Sequence, residues 1–229
     1  MISFLLPTRG RPEWLVRTIA NLHAMTKREH EIIIGIDADD PTLTDYMNML
    51  TQEPYKIFPQ RTQPSAAVNA LLPYALGDIL CPMADDIEIH TKDWDDALLS
   101  LPADGLWVAW PHDGGNGKCT IPIMGRAWAQ TVGHVFPPVL ERWYGDTWVG
   151  DVAHRAGRAY PLMDIRFLHH SPCNPDTKHD APDDDTFWYQ HRDNNAHIRK
   201  DKAMYESSRG IAMRDAEAGR VRARIGARK

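Results

Sequence analysis

The 229-residue sequence predicts an α/β fold: a mainly parallel sheet flanked by helices, Rossmann-like in its layering, with a C-terminal helical tail. Three observations lead there. Short runs dense in Ile, Leu and Val alternate with longer segments whose apolar residues recur every three or four positions. The short runs are apolar at successive positions, the pattern of strands buried on both faces. Clusters of charged residues recur at the carboxyl ends of those runs. Such alternation puts helices on both faces of a parallel sheet.

Residues 2–6 read as a buried strand, and Pro12 opens a helix that carries Leu15, Val16, Ile19 and Leu22 on one face. Residues 31–37 hold Ile32, Ile33, Ile34 and Ile36, a second buried strand, after which Asp40-Pro41 opens the next helix. A short strand at 55–58, a helix at 65–75 and an apolar strand at 78–83 complete three β-then-α units. The second half is less regular, with strands expected at 105–110, 119–124 and 160–169 and a Gly-rich loop at 112–118. A helix over 146–156 is closed by Gly157. Residues 172–185, dense in Pro and Asp, read as an exposed loop, and the chain from Phe187 onward as helix and then basic tail.

A hydrophobic share of 43% and a charged share of 25% describe an ordinary globular protein, so disorder is not the default reading. The net charge of -5 is uneven. From Ser207 to the end, seven basic residues against Asp215 and Glu217 give +5, which leaves -10 for the rest. A basic tail can contact phosphates or an anionic surface, although such runs are commonly just solvated. Cys81, Cys119 and Cys173 are widely spaced and odd in number, which argues against a disulfide framework and fits a reducing compartment. The apolar run at residues 2–6 is too short for a signal peptide, and no stretch approaches a membrane-spanning helix. A cytoplasmic protein with no membrane span is expected.

Open sheets of this kind bind ligands beyond the carboxyl ends of their strands. Thr8-Arg9-Gly10-Arg11 follows the first strand, Asp37 with Asp39-Asp40 the second, and Asp85-Asp86 the run 78–83, so all three clusters fall on one rim. Adjacent carboxylates repel unless a cation or hydrogen-bond donors neutralise them, and hard divalent cations favour oxygen ligands shared with phosphates. The alternative for this pair is a polar turn in which Asp86 caps local amides.

Four motifs share a pattern. They are Phe4-Leu5-Leu6-Pro7-Thr8-Arg9-Gly10-Arg11-Pro12; Ile34-Gly35-Ile36-Asp37-Ala38-Asp39-Asp40; Ser65-Ala66-Ala67-Val68-Asn69 ahead of Asp85-Asp86; and Gly145-Asp146-Thr147-Trp148 with Arg155-Ala156-Gly157. In order and spacing the sequence resembles the GT-A-fold glycosyltransferases, family 2 especially, over roughly its first two-thirds. The resemblance implies a GT-A-like catalytic domain over 1–186 and a helical segment with a basic tail over 187–229. It implies a nucleotide-sugar donor held by Pro7, Thr8, Arg9, Arg11, Asp37, Arg61, Asn69 and Asp85. A divalent ion, Mn2+ or Mg2+, would be bound by Asp86 with His169 or His170 from a late strand. Asp146 or Asp151 would be the catalytic base. Gly145 stands where Glu is usual and Ile87 where Asp is frequent, which leaves the base open between those two residues and the metal ligand open between Asp85 and Asp86.

The implied reaction is metal-dependent transfer of a sugar, UDP-linked by preference because Asp37 suits a uracil N3–H, to an acceptor hydroxyl with inversion. The acceptor is read from the chain itself: its small size, the expected lack of a membrane anchor and the basic tail suggest a hydroxylated base in DNA, reached by flipping, with a glycan as the other candidate. Alternatives remain at several positions. Asp146 also suits the N-cap of its helix. The histidines with Cys173 and His179 suit a zinc site of unusual spacing, or ordinary surface positions. The loop at 172–185, with Lys178 and His179, suits a lid. Trp107, Trp110, Trp143 and Trp148 suit either stacking surfaces or core. Competing classes are a sugar nucleotidyltransferase, whose Gly-rich signature is missing here, and a nucleic-acid-binding protein that uses the basic tail.

Overall fold

The structure, a computed structural model, describes residues 1–50, 53–115, 117–170 and 196–227. The expected lid and the candidate zinc ligands Cys173 and His179 lie outside the described residues. In chain order the elements are β1 (Ile2–Thr8), α1 (Pro12–Met25), β2 (His30–Asp37), α2 (Leu43–Met49), β3 (Tyr55–Phe58), α3 (Pro64–Leu71), β4 (Ile79–Pro82), β5 (Ile87–Ile89), β6 (Val108–His112), β7 (Ile123–Gly125), α4 (Arg126–Val132), α5 (Gly145–Ala156), β8 (Ala159–His169), α6 (Ala196–Glu206) and α7 (Ser208–Gly226). The strands form one sheet in the order β3-β2-β1-β4-β7-β6-β8-β5. Its first four strands are parallel, as the β-then-α alternation requires. β7 then runs antiparallel to β4 and β6, and β8 runs parallel to β6.

Side chains on a strand alternate between faces, and the successive apolar residues of β1 and β2 therefore feed two cores. Phe4, Leu6, Ile32 and Ile34 pack with Leu15 and Leu22 of α1 and Tyr46 of α2. Leu5 and Ile33 face the other way, toward Val68 and Leu71 of α3, Trp128 of α4 and Trp148 of α5. Of the tryptophans weighed as stacking surfaces, Trp107, Trp110 and Trp148 are buried in these cores. Cys81 and Cys119 are buried as well, and desolvation raises both thiols far from reactivity.

Several boundaries differ from expectation for local reasons. The helix expected at 65–75 ends at Leu71 and tightens into a 3-10 turn at Leu72–Tyr74, where Pro73 supplies no N–H. The strand expected at 105–110 begins only at Val108, after the left-handed turn at Gly105 (φ 65°). β5 and α4 carry no signal that pattern reading detects. One is three residues long, and the other starts directly from β7 with no capping side chain.

α6 and α7 pack against the sheet's helices. Ser207 caps α7 by accepting the N–H of Gly210 at 2.9 Å. Ala218 and Val221 of α7 are fully buried, and the Glu217 carboxylate accepts the indole N–H of Trp148 at 2.9 Å. Arg214 is buried against the rings of Trp148 and Tyr205 and pairs with Asp151. Arg220 donates to the Val132 carbonyl and Arg222 to that of Arg155. Much of the tail's positive charge therefore serves the fold. Glu217→Ala would leave the Trp148 N–H buried without an acceptor, and should lower the unfolding free energy by about 1–3 kcal/mol in urea titration. An unchanged midpoint would contradict this packing.

Candidate active site

A cavity of about 1020 Å³ opens at the carboxyl ends of β1, β2 and β4, where the charged clusters of the sequence converge. Its walls come from the loop after β1, the end of β2, the start of α3, the turn after β4, the loop ahead of α5 and the end of β8.

One side is polar and tightly cross-linked. Arg9 donates to Asp37 at 3.0 Å and to Asp39 at 2.8 Å, and the second oxygen of Asp37 accepts the Thr62 N–H at 3.0 Å. These contacts, led by the hydrogen bond to Asp39, hold the Arg9 guanidinium above its ordinary pKa, although burial opposes the shift. Gly10 donates its N–H to buried Asp40, whose other oxygen binds Thr42. Asp40 thus fixes the loop that carries Arg9 and Arg11. Arg61, Pro7 and Thr8 also line the cavity.

The paired carboxylates sit at the centre. Asp85 is fully buried and Asp86 is 2% exposed. Arg11 spans both, reaching Asp85 at 2.7 Å and Asp86 at 3.2 Å. Thr8 donates its hydroxyl to Asp85 at 2.5 Å, and Thr18 donates to the Asp85 carbonyl. Thr8 in turn shares a 2.9 Å hydrogen bond with the Tyr46 hydroxyl, which accepts the Arg11 N–H at 2.7 Å. Burial pushes that phenol up to about 12, so it remains a neutral hydrogen-bonding post. Asp85 therefore turns into the protein, while Asp86 lines the cavity.

β5 continues directly from this turn and pairs antiparallel with the end of β8, Ile87 opposite His169. The His170 N–H donates to the Asp86 carbonyl at 2.8 Å. This pairing brings His169 Nε2 to 3.4 Å from Asp86 Oδ1, on the cavity side. His170 follows on the strand and points the other way, against Trp14 and with its Nε2 at 2.9 Å from Glu88. An oxygen and an imidazole nitrogen this close suit a divalent cation as two of its ligands. Among the described residues no cluster of three or more His, Cys, Asp or Glu stands ready to hold a metal alone. Remaining positions on such an ion would fall to phosphate oxygens or water, the usual arrangement for Mg2+-like ions in nucleotide sites.

Asp146 also lines the cavity, in the first turn of α5, and accepts the Thr147 N–H. Desolvation pushes its carboxyl up to about 6, against the lowering influence of Thr147 and of nearby His169. An added Cβ at Gly145 would stand 3.2 Å from the Phe136 ring, so this loop packs too closely to take a Glu there without a shift.

Four candidates are not brought to the cavity, among them Asp85, which is fully buried and turned inward. Asn69 pins the loop at 135–136, donating to the Phe136 carbonyl and accepting the N–H groups of Val135 and Phe136. It supports the wall rather than facing the donor space. Asp151 is five residues beyond Asp146, about one and a half helical turns, and is tied to Arg155 and Arg214 on the α7 side of α5. His170 is turned away as described. Asp40 and Tyr46, by contrast, organise the site although neither was a candidate.

Family assignment follows from this geometry and one match. The model of glycosyl transferase family 2 covers residues 3–118, just over half of the chain. The chain belongs to that family. As a member it is a glycosyltransferase of the nucleotide-sugar class, and its sheet has the GT-A arrangement. The mannosyltransferase PcManGT from Pyrobaculum calidifontis, in complex with GDP-Man and Mn2+, aligns with a TM-score of 0.63 at 13% identity, over 99% of this chain and 75% of its own. S. aureus TarS 1-349 in complex with UDP gives 0.57 at 16% identity, over 98% and 70%. GalNAc-T7 with UDP, GalNAc and Mn2+ gives 0.59 at 14%, over 74% and 43%. At these identities the likeness is one of fold. No curated protein matches the chain in sequence.

In this glycosyltransferase the Arg11 guanidinium pairs with both Asp85 and Asp86 where they are buried side by side. Arg11→Met should cost about 3–5 kcal/mol of unfolding free energy, because it removes the cation from two buried carboxylates. A loss below about 1 kcal/mol in urea titration would show that the pair is neutralised by other means.

Proposed function

We propose that the chain is a metal-dependent, inverting glycosyltransferase that moves a sugar from a UDP-sugar to an acceptor hydroxyl. The observation that carries this reading is the meeting, in one cavity, of the Asp86–His169 pair with a desolvated Asp146. Asp86 and His169 would hold Mn2+ or Mg2+, which when bound would stabilise the charge that develops on the departing diphosphate. Asp37 and Arg9 present an acceptor and donors together, as the N3–H and carbonyl oxygens of uracil require. Asp85 keeps Arg11 in place below the diphosphate. In this reading residues 1–186 carry the chemistry and 187–229 support it.

Asp146 takes the proton of the acceptor hydroxyl as its oxygen attacks the anomeric carbon. The new C–O bond forms as the bond from that carbon to the diphosphate oxygen breaks, and the nucleoside diphosphate leaves with the electron pair. Attack from the face opposite the leaving group inverts the anomeric centre. A carboxyl near 6 is suited to this work, since it is largely ionised at neutral pH yet basic enough to accept a proton in the transition state. The DNA-base acceptor took its motivation from the tail, and the contacts of Arg214, Arg220 and Arg222 within the fold weaken it.

Two outcomes are expected. Asp146→Asn should lower kcat by about 10²–10⁴-fold with little effect on nucleotide binding, measured by steady-state transfer and calorimetry. Because the base works deprotonated, the rate should rise about tenfold per pH unit up to about 6 and level off above it. A rate that is flat from pH 5 to 7 would remove Asp146 from this role.

A further inference from the structure

The loop at 141–144, directly ahead of Asp146, is held from outside the sheet. Asp201 of α6 is fully buried, and its carboxylate accepts the backbone N–H groups of Glu141, Arg142 and Trp143 at 2.9–3.2 Å. Charge-assisted bonds of this kind to successive amides fix a loop more firmly than neutral ones. The same face of α6 adds His197 and Lys200, which both pair with the Glu141 side chain. From the far side, the Glu141 carbonyl accepts the N–H of Ser65 in α3.

The loop is held for a reason visible in its backbone. Tyr144 has φ 65°, a left-handed conformation that costs a non-glycine residue about 1–2 kcal/mol. Its ring stacks on Tyr205 of α6 at 5.4 Å. The strained residue forms the N-cap of α5 and sets the direction in which Asp146 leaves the turn. Strain of this kind persists where the surroundings over-determine it, and here α6 supplies those surroundings.

We propose that Asp201 is a positioning residue for sugar transfer: by binding the amides of residues 141–143 it maintains the turn at Tyr144 and aims the Asp146 carboxylate into the cavity. The proposal rests on the reading of Asp146 as the base. Asp201 touches no substrate, and its effect belongs in kcat rather than in donor affinity.

The test compares wild type with Asp201→Asn, which keeps one acceptor oxygen, and with Tyr205→Leu, which removes the stack and leaves the carboxylate. Hydrogen–deuterium exchange is followed over 140–147, binding of UDP and GDP with Mn2+ by calorimetry, and turnover of UDP-glucose, UDP-N-acetylglucosamine and GDP-mannose by nucleotide release. In Asp201→Asn exchange at 141–143 should rise tenfold or more, nucleotide Kd should stay within twofold, and kcat should fall at least tenfold at unchanged donor KM, whereas Tyr205→Leu, with the carboxylate in place, should keep exchange at 141–143 within twofold of wild type. Unchanged exchange in Asp201→Asn overturns the proposal, and so does faster exchange there with unchanged kcat. A loss of nucleotide binding that parallels the loss of kcat also overturns it, since that marks general destabilisation. If wild type turns over none of the donors, the enzymatic reading fails by itself, and the exchange experiment still decides whether Asp201 holds the loop.

Discussion

Two adjacent carboxylates, both almost wholly withdrawn from water, are the constraint around which this molecule is arranged. At the end of β4, Arg11 lies across Asp85 and Asp86 and Thr8 donates to Asp85, and these contacts offset the cost of burying the pair. That arrangement depends on the sheet. β1 and β4 are parallel neighbours, with Leu5 beside Pro82, so the loops that follow them emerge side by side. Asp40 then ties the Gly10 backbone and Tyr46 the Arg11 backbone, and the guanidinium is delivered from a fixed loop. Stability and chemistry share these contacts, because the groups that make the carboxylates bearable also aim one of them at the cavity.

The first half of this arrangement was legible in the sequence. Runs such as Ile32-Ile33-Ile34 have only one comfortable place, inside a sheet covered on both faces, and the polar residues that end them must then lie on one rim. What could not be read was direction. Asp85 and Asp86 are equivalent on paper, and so are His169 and His170. The difference comes from β5, three residues long, whose antiparallel pairing with β8 sets His169 toward Asp86 and His170 toward Glu88. Asn69 was expected at the donor because its motif sits at the right spacing, yet its amide satisfies the loop at 135–136. A short polar side chain on a helix looks alike in either role until its partners are known.

The C-terminal helices are where sequence reading was least informative. A basic tail suggests an outward-facing surface, but Arg214 is buried and Glu217 satisfies an indole N–H in the core. Charge content records composition and says nothing of which charges have partners within the fold. The same helices contain Asp201 and Tyr205, far in sequence from the loop they hold and unrelated to the family's motifs. Only the folded chain brings them to residues 141–144, whose strained backbone also has no signature in a Tyr at position 144.

In the proposed reaction the cavity takes a nucleotide sugar together with a divalent ion, and the sugar's bond to the diphosphate is broken there. The most direct measurement is release of nucleoside diphosphate from a panel of UDP- and GDP-sugars, with Mn2+ present or chelated. Turnover of a UDP-sugar should disappear on chelation and return when Mn2+ is restored. Turnover indifferent to chelation, or none with any donor, would contradict the proposed reaction.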